Sequence, residues 1–174
     1  MSVFFIDVIF AAIAGFGFSY ANKPPKRILF FCALLGGFGY AIRLVLLGFL
    51  NYTLATFISA LFVGFFAVFV AKKVRTPIEV LAFPSLLPMI PGLFAYKAML
   101  AIFRFIEADG AEEKSHYLVE IFNNGITAIS AVFALAVGIS VVILFFYEES
   151  FTMTRDKKFR EKYLGLYTFS QHKR

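Results

Sequence analysis

Between Val3 and Tyr147 the sequence falls into five apolar stretches, 3–21, 28–50, 53–71, 78–106 and 118–147, of 19, 23, 19, 29 and 30 residues. About 20 helical residues rising about 1.5 Å each cross a hydrocarbon layer of about 30 Å, so every stretch is long enough to span a membrane. The composition is 60% apolar and 16% charged, against roughly 45–50% and about 25% in a soluble domain. A soluble sphere cannot cover itself with so few polar residues. The same apolar excess excludes a disordered or collagenous chain, and the single Cys32, set in the run FFCALL, excludes an internal disulfide framework and reads as inert packing. In lipid every backbone polar group needs an internal partner, and no segment alternates over about ten residues as a barrel strand does, so the spans are expected to be helices.

The expected fold is therefore an all-α integral membrane protein with five transmembrane helices in residues 1–150, followed by a basic cytoplasmic tail at 151–174. Orientation follows from the bases. The first connection carries Lys23, Lys26 and Arg27, the third carries Lys72, Lys73 and Arg75, and the tail carries Arg155, Lys157, Lys158, Arg160, Lys162, Lys173 and Arg174. The opposite side receives the turn at Asn51-Tyr52 and the acidic loop Glu107–His116. Five spans satisfy this alternation, and an excess of Lys and Arg marks the cytoplasmic side, which places the amino terminus outside and the carboxyl terminus in the cytoplasm. No base precedes the first stretch and three follow it, so that helix is expected to stay as a reversed anchor rather than act as a cleaved signal. In the tail, Phe159, Tyr163 and Leu166 recur at helical spacing among lysines. That pattern suits a surface of anionic lipid better than nucleic acid.

Three ionisable residues, Asp7, Arg43 and Lys97, fall inside spans, and Arg104 lies nearer the outer boundary. Each such residue costs roughly 2.5–3.5 kcal/mol at a helix centre and so should face a partner or a watery cavity. At about 1.5 Å per residue from the outer ends, Asp7 lies about 6 Å deep, Arg43 about 10 Å, and Asn124 and Thr127 about 9–14 Å. Lys97 is expected in the same outer half, so these groups should share one layer. Asp7 and Arg43 can form a structural ion pair while Lys97 snorkels to the outer headgroups, or Asp7 can act as a coupling carboxylate. Gly36, Gly39 and Arg43 fall on one helical face, as do Asn124, Thr127, Ala131, Ala134 and Gly138. Small residues on such faces let helices approach closely.

The fourth stretch contains Phe83-Pro84-Ser85-Leu86-Leu87-Pro88-Met89-Ile90-Pro91-Gly92. Each proline deletes an amide hydrogen and disfavours helix at the preceding residue. The span is therefore expected to be discontinuous at Pro88-Gly92, about 15–21 Å from the cytoplasmic edge, the alternative being a proline kink that serves packing or a re-entrant turn. Pro91 and Gly92 would open a second half-helix, whose unpaired first amides favour a carboxylate or phosphate when they face a cavity. Broken helices at mid-membrane expose backbone to substrate in many secondary transporters. Asp7, Arg43 and Lys97 sum to +1, which favours an anionic or zwitterionic carboxylate.

The motifs CALLGGFGYAIR (32–43), PSLLPMIPGLFAYKAM (84–99) and NGITA with GIS (124–128 and 138–140) resemble the small subunit of the split-type threonine/serine exporter family, which includes succinate exporters. The resemblance covers most of residues 11–144. It implies an exporter half in the cytoplasmic (inner) membrane that works with a larger membrane subunit bearing a soluble amino-terminal domain. It also makes Arg43, Pro88, Pro91, Gly92, Tyr96, Asn124 and Thr127 candidates for the transport path; Lys97 joins them as a substrate-binding residue from its depth.

The leading expectation is then a secondary transporter subunit exporting a small carboxylate metabolite, a dicarboxylate such as succinate or threonine/serine, with no cofactor. The alternative is a non-transporting membrane scaffold or assembly partner subunit. An intramembrane enzyme is disfavoured, because His116 and His172 lie outside the spans and Cys32 is isolated, so no catalytic dyad or metal set can be assembled at the Arg43 layer. Five helices are few to enclose a pathway, so association with the larger subunit or with further copies of the chain is expected.

Overall fold

The computed structural model describes residues 2–22 and 24–146, and the basic tail at 151–174 lies outside them. The described chain is all helical: α1 (Ser2–Ala21), α2 (Lys26–Leu46), α3 (Tyr52–Val74), α4 (Ile78–Leu86), a 3-10 turn at Leu87–Met89, α5 (Gly92–Glu107) and α6 (Ala111–Phe145). Helices α1, α2, α3 and α6 are each long and apolar enough to cross a membrane. The α4 segment through Met89 and α5 meet at a bend of 48°. Counted as one broken span, the pair brings the candidate spans from four to five.

Prolines set several of the boundaries. Pro25, Pro77 and Pro91 stand at the starts of α2, α4 and α5, where a missing amide hydrogen costs nothing because the first turn has no acceptor for it. At the other end of α3, Arg75 adopts the left-handed conformation (φ 57°, ψ 51°), and both its amide and that of Thr76 return to the Ala71 carbonyl. This closes the helix as a glycine ordinarily would.

The bundle is held by close helix crossings. Helix α1 lies along α2, α3 lies along α6, and α4 is inserted against α1, α2 and α3. At the α1–α2 crossing a Cβ on Gly15 would stand 3.0 Å from the Cys32 carbonyl oxygen; at the α3–α6 crossing one on Gly138 would stand 2.8 Å from Ala60 Cβ. Lipid tails are as apolar as the helices, so dispersion contacts at such small residues, rather than a hydrophobic driving force, hold membrane helices together. The α3–α6 seam also carries a Thr53–Ser130 hydroxyl contact at 2.9 Å. Helix α5 packs mainly on α6 alone, and its face bearing Leu93, Tyr96, Met99 and Phe103 is exposed.

Two boundaries differ most from those expected. Helix α6 begins at Ala111 rather than Leu118, so most of the expected acidic loop is helix. Glu112 and Glu113 occupy its first turn, where the amide ends of the helix dipole favour carboxylates. Helix α2 stops at Leu46 rather than Leu50, and its last carbonyls are closed by amides of Leu47, Gly48, Phe49 and Leu50 in successive turns.

Candidate functional site: an arginine on a broken helix

Pro84 sits inside α4. Its ring cannot donate to the Val80 carbonyl and pushes it aside. The thiol of Cys32 on α2 points at the carbonyls of Val80 and Leu81, 3.7 Å from each. Ser85, fully buried, shares its hydroxyl proton between the Leu81 carbonyl at 2.7 Å and the Cys32 carbonyl at 3.2 Å. The first proline thus leaves the helix intact, because neighbouring side chains satisfy the backbone it disturbs.

The next two prolines break it. Pro88 lies in the 3-10 turn, Ile90 leaves the helix with ψ 132°, and Pro91 has φ −77° and ψ 55°. The amide of Gly92 bonds the Ile90 carbonyl at 2.8 Å, an inverse γ-turn centred on Pro91. A continuous helix would use the amide of Leu93 to satisfy the Met89 carbonyl. Here Arg43 of α2 does so: its Nη1 donates to the Met89 oxygen at 2.8 Å.

Arg43 is 5% exposed. The same Nη1 reaches the Tyr52 hydroxyl at 3.4 Å, and the guanidinium lies over the rings of Tyr40, 4.5 Å from its centroid, and Tyr52, at 5.4 Å. Tyr52 in turn meets Phe94, the third residue of α5, edge to face at 4.8 Å. The guanidinium therefore bonds the chain before the break and reaches, through one tyrosine, the chain after it. Gly39, one turn earlier on α2, makes room for this: a Cβ there would collide with Val63 and with the methyl of Met89. Arg43 Nε is buried and makes no hydrogen bond to any described residue. Burying a cation is expensive, and a carbonyl and two ring faces offset only part of the cost.

The other expected residues are distributed around this centre. Pro91 is buried and Pro88 half-buried at the break. Gly92 is exposed, with open space where a side chain would be. Tyr96 and Lys97 are exposed on α5 and share no hydrogen bond with Arg43. Asn124 and Thr127 are half-buried, each bonded to a carbonyl of its own helix, at Glu120 (2.9 Å) and Asn123 (2.7 Å). Asp7 is half-buried on α1, and the expected pair with Arg43 is not formed. Arg43 turns inward to the break, whereas Lys97 is exposed on α5, so the two cations are not brought together. The reading of the sequence missed Tyr52 and Met89. Tyr40, three residues before Arg43 and on its face, was the available signal for an aromatic cradle.

Discontinuous helices near the bilayer midplane are a feature of many secondary transporters. The family model for Threonine/Serine exporter, ThrE, matches residues 7–145, and the chain belongs to that family. No solved structure matches it.

Proposed function

We propose that this chain is a transporter subunit that moves a small carboxylate-bearing metabolite, threonine/serine or a dicarboxylate such as succinate, and that Arg43 is the group that meets the carboxylate. One observation carries the reading. A buried guanidinium with an unpartnered Nε has only a neutral carbonyl and a tyrosine hydroxyl as hydrogen-bond acceptors. A carboxylate can take Nε and Nη together in the fork geometry that suits arginine, and in doing so would compete with the Met89 carbonyl. Binding would then loosen the contact that fixes the break, which couples occupancy to the angle between α4 and α5.

The path is completed by a second subunit, either a larger membrane protein with a soluble amino-terminal domain or another copy of the chain. Gly92, Tyr96 and Lys97 are exposed on α5 and would border the route from that side, with Asn124 and Thr127 contributed by α6, the helix on which α5 packs. Asp7, an acid at membrane depth without an ion-pair partner among the described residues, is the coupling candidate. The membrane is the cytoplasmic one, with the amino terminus outside and the basic tail resting on anionic lipid.

Efflux of labelled threonine and succinate from cells expressing this chain with its partner tests the reading. Arg43→Gln should reduce efflux at least about tenfold, the equivalent of roughly 1.4 kcal/mol in the transition state, at unchanged membrane abundance. Efflux that continues when this chain is deleted would favour a non-transporting scaffold subunit, a role also compatible with the uncovered face of α5.

A further inference from the structure

A cleft of about 530 Å³ opens between the α1–α2 turn and the α3–α4 turn, on the side that carries the basic connections. Its volume falls in the range of about 300–1,000 Å³ usual for small-molecule sites. Two opposite charges line it, Arg75 at the end of α3 and Glu79 in the first turn of α4. Neither makes an ion pair with the other, and neither has a hydrogen-bonded side chain among the described residues. Thr76 lies between them in sequence, and Val80, Phe83 and Pro84 of α4 also line the cleft. Asn22 contributes from the turn just past α1, with its amide nitrogen donating to the Phe18 carbonyl at 3.1 Å, so that its oxygen remains as an acceptor.

The backbone supplies a second observation. Among the described residues Arg75 is the sole non-glycine with positive φ. This conformation costs an L-residue roughly 1–2 kcal/mol and is ordinarily given to glycine at a helix end. A long cationic side chain is thus held where the backbone would prefer none, on a cleft that is also lined by a carboxylate with no ion-pair partner among the described residues. Strain at a site of this kind points to use of the side chain.

We propose that this cleft is a second binding site, a loading site for the zwitterionic head of an α-amino acid, with Arg75 receiving the carboxylate and Glu79 and the Asn22 oxygen receiving the ammonium. This rests on the reading of the chain as a transporter of small carboxylate metabolites, and it sharpens it. A dicarboxylate would satisfy Arg75 but set its second charge against Glu79, so the cleft discriminates against it. The cleft is lined by α4 itself, as far as Pro84, the proline that precedes the break.

The test is cysteine protection on the purified full chain in lipid nanodiscs, where both faces are accessible. Cys32→Ser removes the native thiol, and Thr76→Cys and Phe83→Cys serve as separate reporters, each modified by a membrane-impermeant maleimide. With threonine at about twice its dissociation constant, modification should slow roughly threefold at one or both reporters, whereas succinate should leave it unchanged. Arg75→Gly, which suits the backbone, and Glu79→Gln should each abolish the protection. Equal rates with and without threonine at both reporters would overturn the proposal, as would equal protection by succinate, or protection that survives both charge substitutions. Modification that is slow in all solutes and quickens only when lipid is removed would assign the cleft to a lipid headgroup and also overturn it. Arg43-dependent efflux without protection rejects the cleft alone; protection without Arg43-dependent efflux rejects the proposed role of Arg43 and leaves the cleft standing.

Discussion

Arg43 and Lys97 are both cations placed by the sequence at membrane depth, yet their surroundings differ completely. Arg43 is enclosed by α2, α3 and the 3-10 turn, with a backbone carbonyl at 2.8 Å and two tyrosine rings about it. Lys97 stands exposed on a helix that packs mainly on α6. The difference shows that the cost of an intramembrane charge can be met in two ways. One is internal, by a backbone group that a broken helix has released. The other leaves the charge at the surface of the bundle, on the uncovered side of α5.

The comparison would break most visibly at Arg43. Arg43→Ala should destabilise the isolated chain by about 1–3 kcal/mol, the cost of leaving the buried Met89 carbonyl unsatisfied, read as a fall in thermal unfolding midpoint in detergent. Arg43→Lys should not restore efflux, because an ammonium offers no planar fork. Normal stability and efflux in the alanine variant would sink the account of the break. Gly39→Ala comes next. Its added methyl displaces Val63 or Met89 and should cost about 1–3 kcal/mol by overpacking; both Arg43 and Gly39 variants should lessen protection of backbone amides around 87–93 in hydrogen exchange.

Lys97→Gln should change the stability of the isolated chain by less than about 0.5 kcal/mol, as substitutions away from packed or paired groups do. Its effect should appear only in the assembled transporter, as weaker association with the second subunit on co-purification. A loss of isolated-chain stability matching that of Arg43→Ala would erase the contrast. Arg75→Gly should have the smallest effect. Relief of the left-handed strain is partly cancelled by the greater freedom of glycine in the unfolded chain, about 0.4–1 kcal/mol, so the unfolding midpoint should rise slightly or hold, even as threonine protection in the cleft is lost.

Much of the architecture is legible along the chain because membrane helices are specified locally. Length and apolarity mark α1, α2 and α3, and the deletion of amide hydrogens by Pro88 and Pro91 marks the break within a residue or two of where it occurs. The small-residue faces through Gly36, Gly39 and Gly138 also turn inward as their spacing requires. The start of α6 was harder to place, because Ala111–His116 is too polar for lipid yet well suited to a helix that protrudes beyond it, and hydropathy registers only the former.

The site divides along the same line. That Arg43 must be sheltered follows from its charge and depth alone, and so does the release of backbone groups near Pro88 and Pro91. Neither fact says that the one answers the other. Residues 43 and 89 come together because α4 is wedged between α1, α2 and α3, and because Gly39 lets the Met89 side chain enter. Whether Lys97 turns toward that centre or away from it depends on the 48° bend and on which neighbour α5 packs against. A helical sequence carries the period of a face but no reference direction for it, so the bearing of that face is set only when the helices pack.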